Sequence, residues 1–444
     1  MIAQPAEASE VIQLIVEGVG RLELADLSAA VSIASEAYPG VRLTHEGRTW
    51  VDSGGHPAVR TVDRDLGAGQ HISELPETNQ SISIAGGQMC EVLLFTGNPT
   101  AVIFRALHAV MDGQGVQMWA NDVFRALRGE DVEGGPDPIG GCNAFADITA
   151  PNSTLRSQLG GLRSQVTPEW LLGPARRGKP LGMIWTRRTV DGYHPALAAK
   201  AATAILRSSG WEASRFCVSV DLRRHLPDVR TTAFLSWGVL FDVRAGQRWD
   251  EIHEQLLRAL AENQDLGTRF SLSLLKLPLS LVRGVFRSLA VVMPKVKPYT
   301  VMLTHQGRLD IADFCTPSFE ARTVYSLPFQ ARLAMPELTM VEVGGRTEFT
   351  LAWHDGPGVA ERAEAVLDCI TEELSPQVNR RDLGRGVVSK SPVDGAGGVT
   401  VVQRFAEQVA RTPDAVAISG PDGEVTYAEL ELRSRVVAAE LRSR

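Results

Sequence analysis

A histidine and a carboxylate stand together in Leu107-His108-Ala109-Val110-Met111-Asp112-Gly113-Gln114-Gly115, where an apolar strand pattern gives way to a helical one. An imidazole exchanges its proton near neutral pH, so His108 at a strand end could accept a proton from an attacking amine or hydroxyl, or hold that nucleophile by a hydrogen bond. Asp112, on so tight a loop, suits fixing the loop through an arginine better than acting as a second base. Gly113 and Gly115 permit a sharp turn and bring backbone amides close to a substrate. Taken alone, the same pattern also describes an ordinary Asp-Gly turn beside a hydrogen-bonded, partly buried histidine. The remaining histidines, His45, His253 and His305 among them, show no metal-ligand spacing, and the five cysteines are widely scattered without a CxxC pair.

The elements that must position His108 follow from hydrophobic period. Residues 91–96 and 101–107 are apolar β-rich runs around Gly97-Asn98-Pro99, a hairpin signal, and 116–127 is an amphipathic helix. Upstream, 11–16 reads as a strand and a helix starts after Asp26 as N-cap; Pro39-Gly40 ends it and Val41-Arg42-Leu43 opens a second strand. Further strands are expected at 216–222, 233–243, 300–303, 321–327, 338–343 and 348–353, with helices at 249–262 and 359–374. Mixed strands and helices thus occur twice over, with no glycine-rich phosphate loop after any strand, which argues against a nucleotide-binding fold. Two α/β lobes packed side by side fit better, residues 1–165 and 166–380. Residues 381–399, with Gly395-Ala-Gly-Gly398, form a linker, and 400–444 begin a further unit.

A length of 444 residues suits two or three compact units, and 44% hydrophobic with 22% charged residues suits a globular protein. A net charge of −7 argues against nucleic acid as the main partner. No secretory start is visible, and the apolar region 270–294 is interrupted by Lys276, Pro278, Arg283 and Arg287, too broken to span a bilayer. Reduced thiols and a cytoplasmic location are expected.

His108-x-x-x-Asp112-Gly113 resembles the second histidine, the aspartate and the glycine of the HHxxxDG motif of nonribosomal peptide synthetase condensation domains, acyltransferases of the chloramphenicol acetyltransferase-like superfamily. Val220-Asp221-Leu222-Arg223 and Gln306-Gly307-Arg308-Leu309-Asp310 are similar to segments of the same superfamily, over about residues 10–380. Residues 402–418 and Val425-Thr-Tyr-Ala-Glu-Leu430 resemble the opening of an adenylation domain. Its phosphate loop and catalytic lysine have no counterpart, so the chain is expected to be a piece of a longer synthetase that does not itself activate amino acids.

The resemblance implies an α/β fold of two lobes forming a V-shaped pseudo-dimer with a central tunnel, plus a short C-terminal α/β fragment. It implies amide formation at His108 between an acyl or peptidyl thioester and the amine of an aminoacyl thioester. Both would ride on 4'-phosphopantetheine arms of donor and acceptor peptidyl carrier proteins, or the donor on coenzyme A, with no tightly bound cofactor and no metal. The rest of the adenylation domain is a further implied partner. If Met1 is the natural start, a donor in trans makes a starter-type domain credible. An ester-forming variant, a coenzyme A-dependent O- or N-acyltransferase and a silent carrier-docking domain are the alternatives.

Asp112, Gly113 and Arg42 are implied as supports of the active-site loop, Arg42 as the partner of Asp112. Ser236 and Trp237, in Phe234-Leu-Ser-Trp-Gly238, are candidates for an oxyanion contact or the tunnel wall. The chain departs from the family at Leu107, where the first histidine would stand, and at Pro39-Gly40-Val41-Arg42, the remnant of an Arg-His-Glu-x-Leu-Arg segment. Glu262-Asn263-Gln264-Asp265 falls where the family has a short polar Gln-Asp motif; a place near the cleft and a solvated helix end are both open.

Overall fold

The first strand, β1 (Val11–Gly20), is buried along Val11, Ile12, Gln13, Leu14, Ile15 and Val16, on both of its faces, as only a central strand can be. Leu14 and Val16 enter one apolar cluster and Ile15 another. The computed structural model describes residues 11–46, 49–64, 66, 70–83, 87–137, 166, 168, 171–173, 183–266, 298–328, 335–375, 408–413, 415–420 and 423–432. The expected linker at 381–399, the apolar region 270–294 and the stretch around the expected lobe boundary at 165 lie outside these. The chain divides into two compact units, Met1–Gln377 and Val378–Arg444.

After β1 come α1 (Leu24–Glu36), β2 (Leu43–Glu46), β3 (Thr49–Asp52), β4 (Ala58–Val62), β5 (Cys90–Phe95), β6 (Thr100–Leu107) and α2 (Gly113–Leu127). Then follow β7 (Met183–Asp191), α3 (Leu197–Ser209), β8 (Ala213–Asp221), β9 (Ser236–Arg244), α4 (Trp249–Ala261) and β10 (Met302–Leu309). The first unit ends with β11 (Phe319–Leu327), β12 (Glu337–Val343), β13 (Arg346–His354) and α5 (Val359–Leu374). One sheet has the order β11-β1-β6-β5-β4, and a second has β7-β13-β12-β10-β8-β9. The fold is mixed α/β in two lobes, each lobe a sheet with helices packed on it.

In the first lobe, α1 and α2 cover the sheet with Leu27, Val31, Trp119, Val123 and Phe124, over Val92, Leu94, Val102 and Phe104. The Trp119 ring meets Phe104 edge-on at 5.3 Å. In the second lobe, α3 and α5 cover Phe216, Leu303, Leu338, Phe349 and Leu351. The lobes are not two consecutive stretches of chain. β11, which follows most of the second lobe in sequence, pairs antiparallel with β1 and completes the first sheet.

Several elements differ from their sequence reading. α1 starts at Leu24 with Glu23 as N-cap, and Asp26 sits in its first turn, where a negative charge suits the helix dipole. Pro39–Arg42 is a short helical turn instead of the start of a strand, consistent with the fixed φ of proline at its first position. β7 and α3 carry little signal in the sequence; α3 buries Ala199, Ala201, Ala202 and Ala204, residues whose weak hydrophobic contrast hides a helical period.

In the second unit, β14 (Val416–Gly420) and β15 (Gly423–Thr426) pair antiparallel, and residues 427–432 turn into helix. Thr426 Oγ1 accepts from the Glu429 amide at 3.3 Å while Glu429 Oε2 accepts from the Thr426 amide at 2.9 Å. This reciprocal capping explains the Thr-Tyr-Ala-Glu spacing.

Candidate active site

β6 delivers His108. Its last residue, Leu107, is buried in the first-lobe core, so the position before His108 serves packing. The next residues turn back at once, with the Val110 amide donating to Leu107 O at 3.0 Å. His108 Nδ1–H donates to the Met111 carbonyl at 2.8 Å, which fixes the ring and its tautomer. In the neutral ring Nε2 then carries the lone pair. Burial pushes the His108 pKa below the ordinary imidazole value, against opposing pulls from the Met111 carbonyl and Asp112. Phe234 meets the ring edge-on at 4.9 Å. The imidazole is thus held neutral and oriented, with Nε2 as the nitrogen able to accept a proton.

Asp112 is the N-cap of α2 and is 2% exposed. Its Oδ1 accepts from the Gly115 amide at 2.8 Å and Arg223 Nη2 at 3.0 Å. Oδ2 accepts from Arg223 Nη1 at 2.9 Å and the Leu235 amide at 2.8 Å. Arg223 further donates to the carbonyls of Thr231 and Ala233. One carboxylate therefore caps the helix behind His108 and ties it to the β8–β9 connection of the second lobe. Gly115 allows that contact: a Cβ there would lie 2.3 Å from the Thr232 carbonyl oxygen.

No family model and no curated protein matches the sequence. Solved structures do match the fold. The first condensation domain of the calcium-dependent antibiotic synthetase is 15% identical, with TM-score 0.57, over 84% of this chain and 93% of that one. The epimerization domain from the third module of tyrocidine synthetase B is 10% identical, with TM-score 0.53, over 83% of this chain and 91% of that one. The first unit has the condensation-domain fold. A nonribosomal peptide synthetase, FmoA3, is similar over 98% of this chain and 50% of its own length, at 16% identity and TM-score 0.53.

Within this condensation fold, Arg42 does not meet Asp112. Its guanidinium pairs with Asp52 through Nε at 3.0 Å and Nη2 at 2.5 Å, bracing β2 against β3. Arg223 holds the position expected of Arg42. The sequence carried a signal for it, Val220-Asp221-Leu222-Arg223, but no way to rank one arginine over the other. Leu235 and Trp237, two apart, join a small apolar cluster with Leu222, Leu226 and Leu266. Ser236 opens β9 opposite Asp221, and Trp237 follows it opposite Val220.

Asp265 is not a solvated helix end. It is buried and accepts from Arg224 Nε and Nη2, both at 2.9 Å, and makes a 2.8 Å hydrogen bond with His225 Nε2. Burial pushes its carboxyl up, but the bonds from Arg224 and His225 outweigh this and hold it below the ordinary range. The short turn carrying Arg223 is thereby anchored one residue further on. Sequence reasoning also missed Gln306 as a site residue. A Cβ on Gly113 would lie 2.8 Å from its Nε2. Among the described residues no group of three or more histidines, cysteines and carboxylates could hold a metal ion, and no helix is long and apolar enough to cross a membrane.

Proposed function

We propose that the first unit is a condensing acyltransferase in which His108 serves the nucleophile. The observation that carries the reading is the state of His108: a half-buried imidazole, its pKa lowered, with Nδ1–H fixed on Met111 O, on a loop locked to the second lobe through Asp112 and Arg223. Such a ring can orient an amine or take its proton through Nε2 as the amine attacks a thioester carbonyl. Asp112 acts as a support, since four hydrogen bonds occupy both its oxygens. The substrates are an acyl or peptidyl donor and an aminoacyl acceptor on phosphopantetheine arms of carrier proteins, and the product is an amide. A starter-type donor supplied in trans, on a carrier or coenzyme A, fits the same site. The second unit, with its capped Thr426–Glu429 turn, is read as the opening of an adenylation domain.

Epimerization, named for one structural relative, would need a second acid–base group across from His108. Asp112 is the carboxylate nearest to it in sequence and is wholly engaged, which favours acyl transfer.

The test mixes the chain with an aminoacyl-loaded acceptor carrier and a panel of acyl carriers and acyl-coenzyme A donors, read by intact-protein mass spectrometry. An acyl adduct on the acceptor that His108→Ala abolishes is the expected result. Equal adduct in wild type and His108→Ala refutes the role of His108. No adduct with any donor, with carrier binding retained, would favour a docking domain.

A further inference from the structure

β10 follows β12 in register to His305 opposite Met340 and again from Arg308 opposite Glu342, so Gln306 and Gly307 together face Val341. An extra residue of this kind bends a strand and re-aims its side chain. Gly307 takes φ +86° in the bulge, a conformation open to glycine. The bulge brings Gln306 to the N-terminal turn of α2, directly beside the His108 loop. Its Oε1 accepts from Gln117 Nε2 at 3.3 Å and from the Ser326 hydroxyl, and both partners are buried. Gln117 Nε2 donates to the Gln306 backbone carbonyl as well as to Oε1, which places the oxygen end of the carboxamide toward Gln117. The Nε2 end lies against Gly113, and no described residue offers it an acceptor.

We propose that the Gln306 carboxamide nitrogen is the hydrogen-bond donor to the carbonyl oxygen of the acyl thioester, and that position 113 is glycine because a Cβ would displace that donor. The proposal rests on the acyl-transfer reading above. As the amine nitrogen bonds to the carbonyl carbon, the carbonyl π pair moves onto oxygen, and Gln306 Nε2–H meets the charge formed there. The amine proton passes to His108 Nε2. The carbon–sulfur bond then breaks with its electron pair on sulfur, the carbonyl reforms, and His108 returns the proton to give a free thiol and an amide. Gln306 is braced from behind by Gln117 and Ser326, so its donor needs no rearrangement.

The test uses the full chain with octanoyl-pantetheine as donor and glycyl-pantetheine as acceptor. Gln306→Met keeps the length of the side chain without the donor. It is expected to lower kcat by about 10²-fold with KM little changed, while the melting temperature falls because Gln117 and Ser326 lose their acceptor. Gly113→Ala should lose a similar factor, and the double variant no more than either, since one donor cannot be lost twice. Gln306→Met turning over like wild type, while His108→Ala is inactive, overturns the donor role and leaves acyl transfer standing. His108→Ala turning over like wild type overturns the acyl-transfer reading itself. A measurement independent of turnover follows the side-chain amide resonances of glutamine-labelled protein, with Gln306 assigned by its loss in Gln306→Met. Addition of the ketone analogue of octanoyl-pantetheine, with a methylene for sulfur, should move the Gln306 signal downfield. An unmoved signal with the analogue bound overturns the proposal.

Discussion

Two arginines compete in the sequence for one carboxylate, and the surroundings of each decide the outcome. Arg223 and Asp112 have side chains 12% and 2% exposed, so removing the arginine strands a buried charge. Arg223→Ala is expected to destabilise the fold by about 3–5 kcal/mol in urea titration. Arg42 and Asp52 lie nearer solvent, at 17% and 36%. Arg42→Ala should therefore change stability by about 1 kcal/mol or less and leave the transfer rate intact. At His108 the depressed pKa sets the sign of the pH effects. The neutral form persists to lower pH than for a free imidazole, so the His108-dependent limb of the rate profile should lie below the free-imidazole value, separate from the limb set by protonation of the acceptor amine at about pH 7.7–8. The stability contribution runs the same way: the unfolded state binds the proton more readily, so it is present above the unfolded pKa and lost as pH falls through the folded one. A His108-dependent limb above about pH 6.5, told from the amine's limb by its loss in His108→Ala, would contradict this.

Single elements carry two further consequences. α2 begins where Asp112 caps it, and its first turn packs on the β8–β9 connection with no room for a side chain at Gly115. Gly115→Ala forces a Cβ against the Thr232 carbonyl and is expected to lower stability by about 1–3 kcal/mol, read as a drop in melting temperature. β12 opens with Glu337, whose carboxyl accepts from Thr304 Oγ1 at 2.8 Å. Burial pushes its pKa up to about 7, which the Thr304 bond only partly offsets. A carboxyl raised in the folded state contributes stability that is full below its unfolded pKa and lost as pH rises through the folded value. Glu337→Gln should thus stabilise the protein at pH 8 relative to wild type, by on the order of 1–3 kcal/mol, and flatten the pH dependence of melting between about pH 5 and 7. Equal pH profiles for the two proteins would refute the assignment.

Across the whole first unit, the lobes are joined through charge as well as through β11. The Arg187 guanidinium lies 3.8 Å over the Tyr325 ring, 3.4 Å from Glu17 and 3.5 Å from Glu348. Glu17 and Tyr325 belong to the first sheet, Arg187 and Glu348 to the second. The cation stands between two carboxylates, which also accept from the Tyr325, Thr189 and Thr323 hydroxyls. Arg187→Met is expected to cost about 3 kcal/mol or more and to broaden the urea transition, as the two lobes lose part of their coupling. A single sharp transition at the wild-type midpoint would show that β11 alone suffices.

The sequence alone determined the local features: the hairpin ending at His108, the Asp-Gly start of α2, the opening strand at 11–16, and the Thr-x-x-Glu segment of the second unit. Each is written within a dozen residues, because period, capping and turn chemistry act over that span. Only the tertiary structure decided that Arg223, 111 residues from Asp112, holds it in place of Arg42. The same holds for β11 crossing into the first sheet and for Gln306 lying against Gly113, although the sequence shows a Gln-Gly pair there. These outcomes depend on which strands pair and where one of them bulges. Hydrophobic alternation says which face of a strand is buried but does not name its partner strand far along the chain, so the pairing and the bulge emerge only when the sheets assemble.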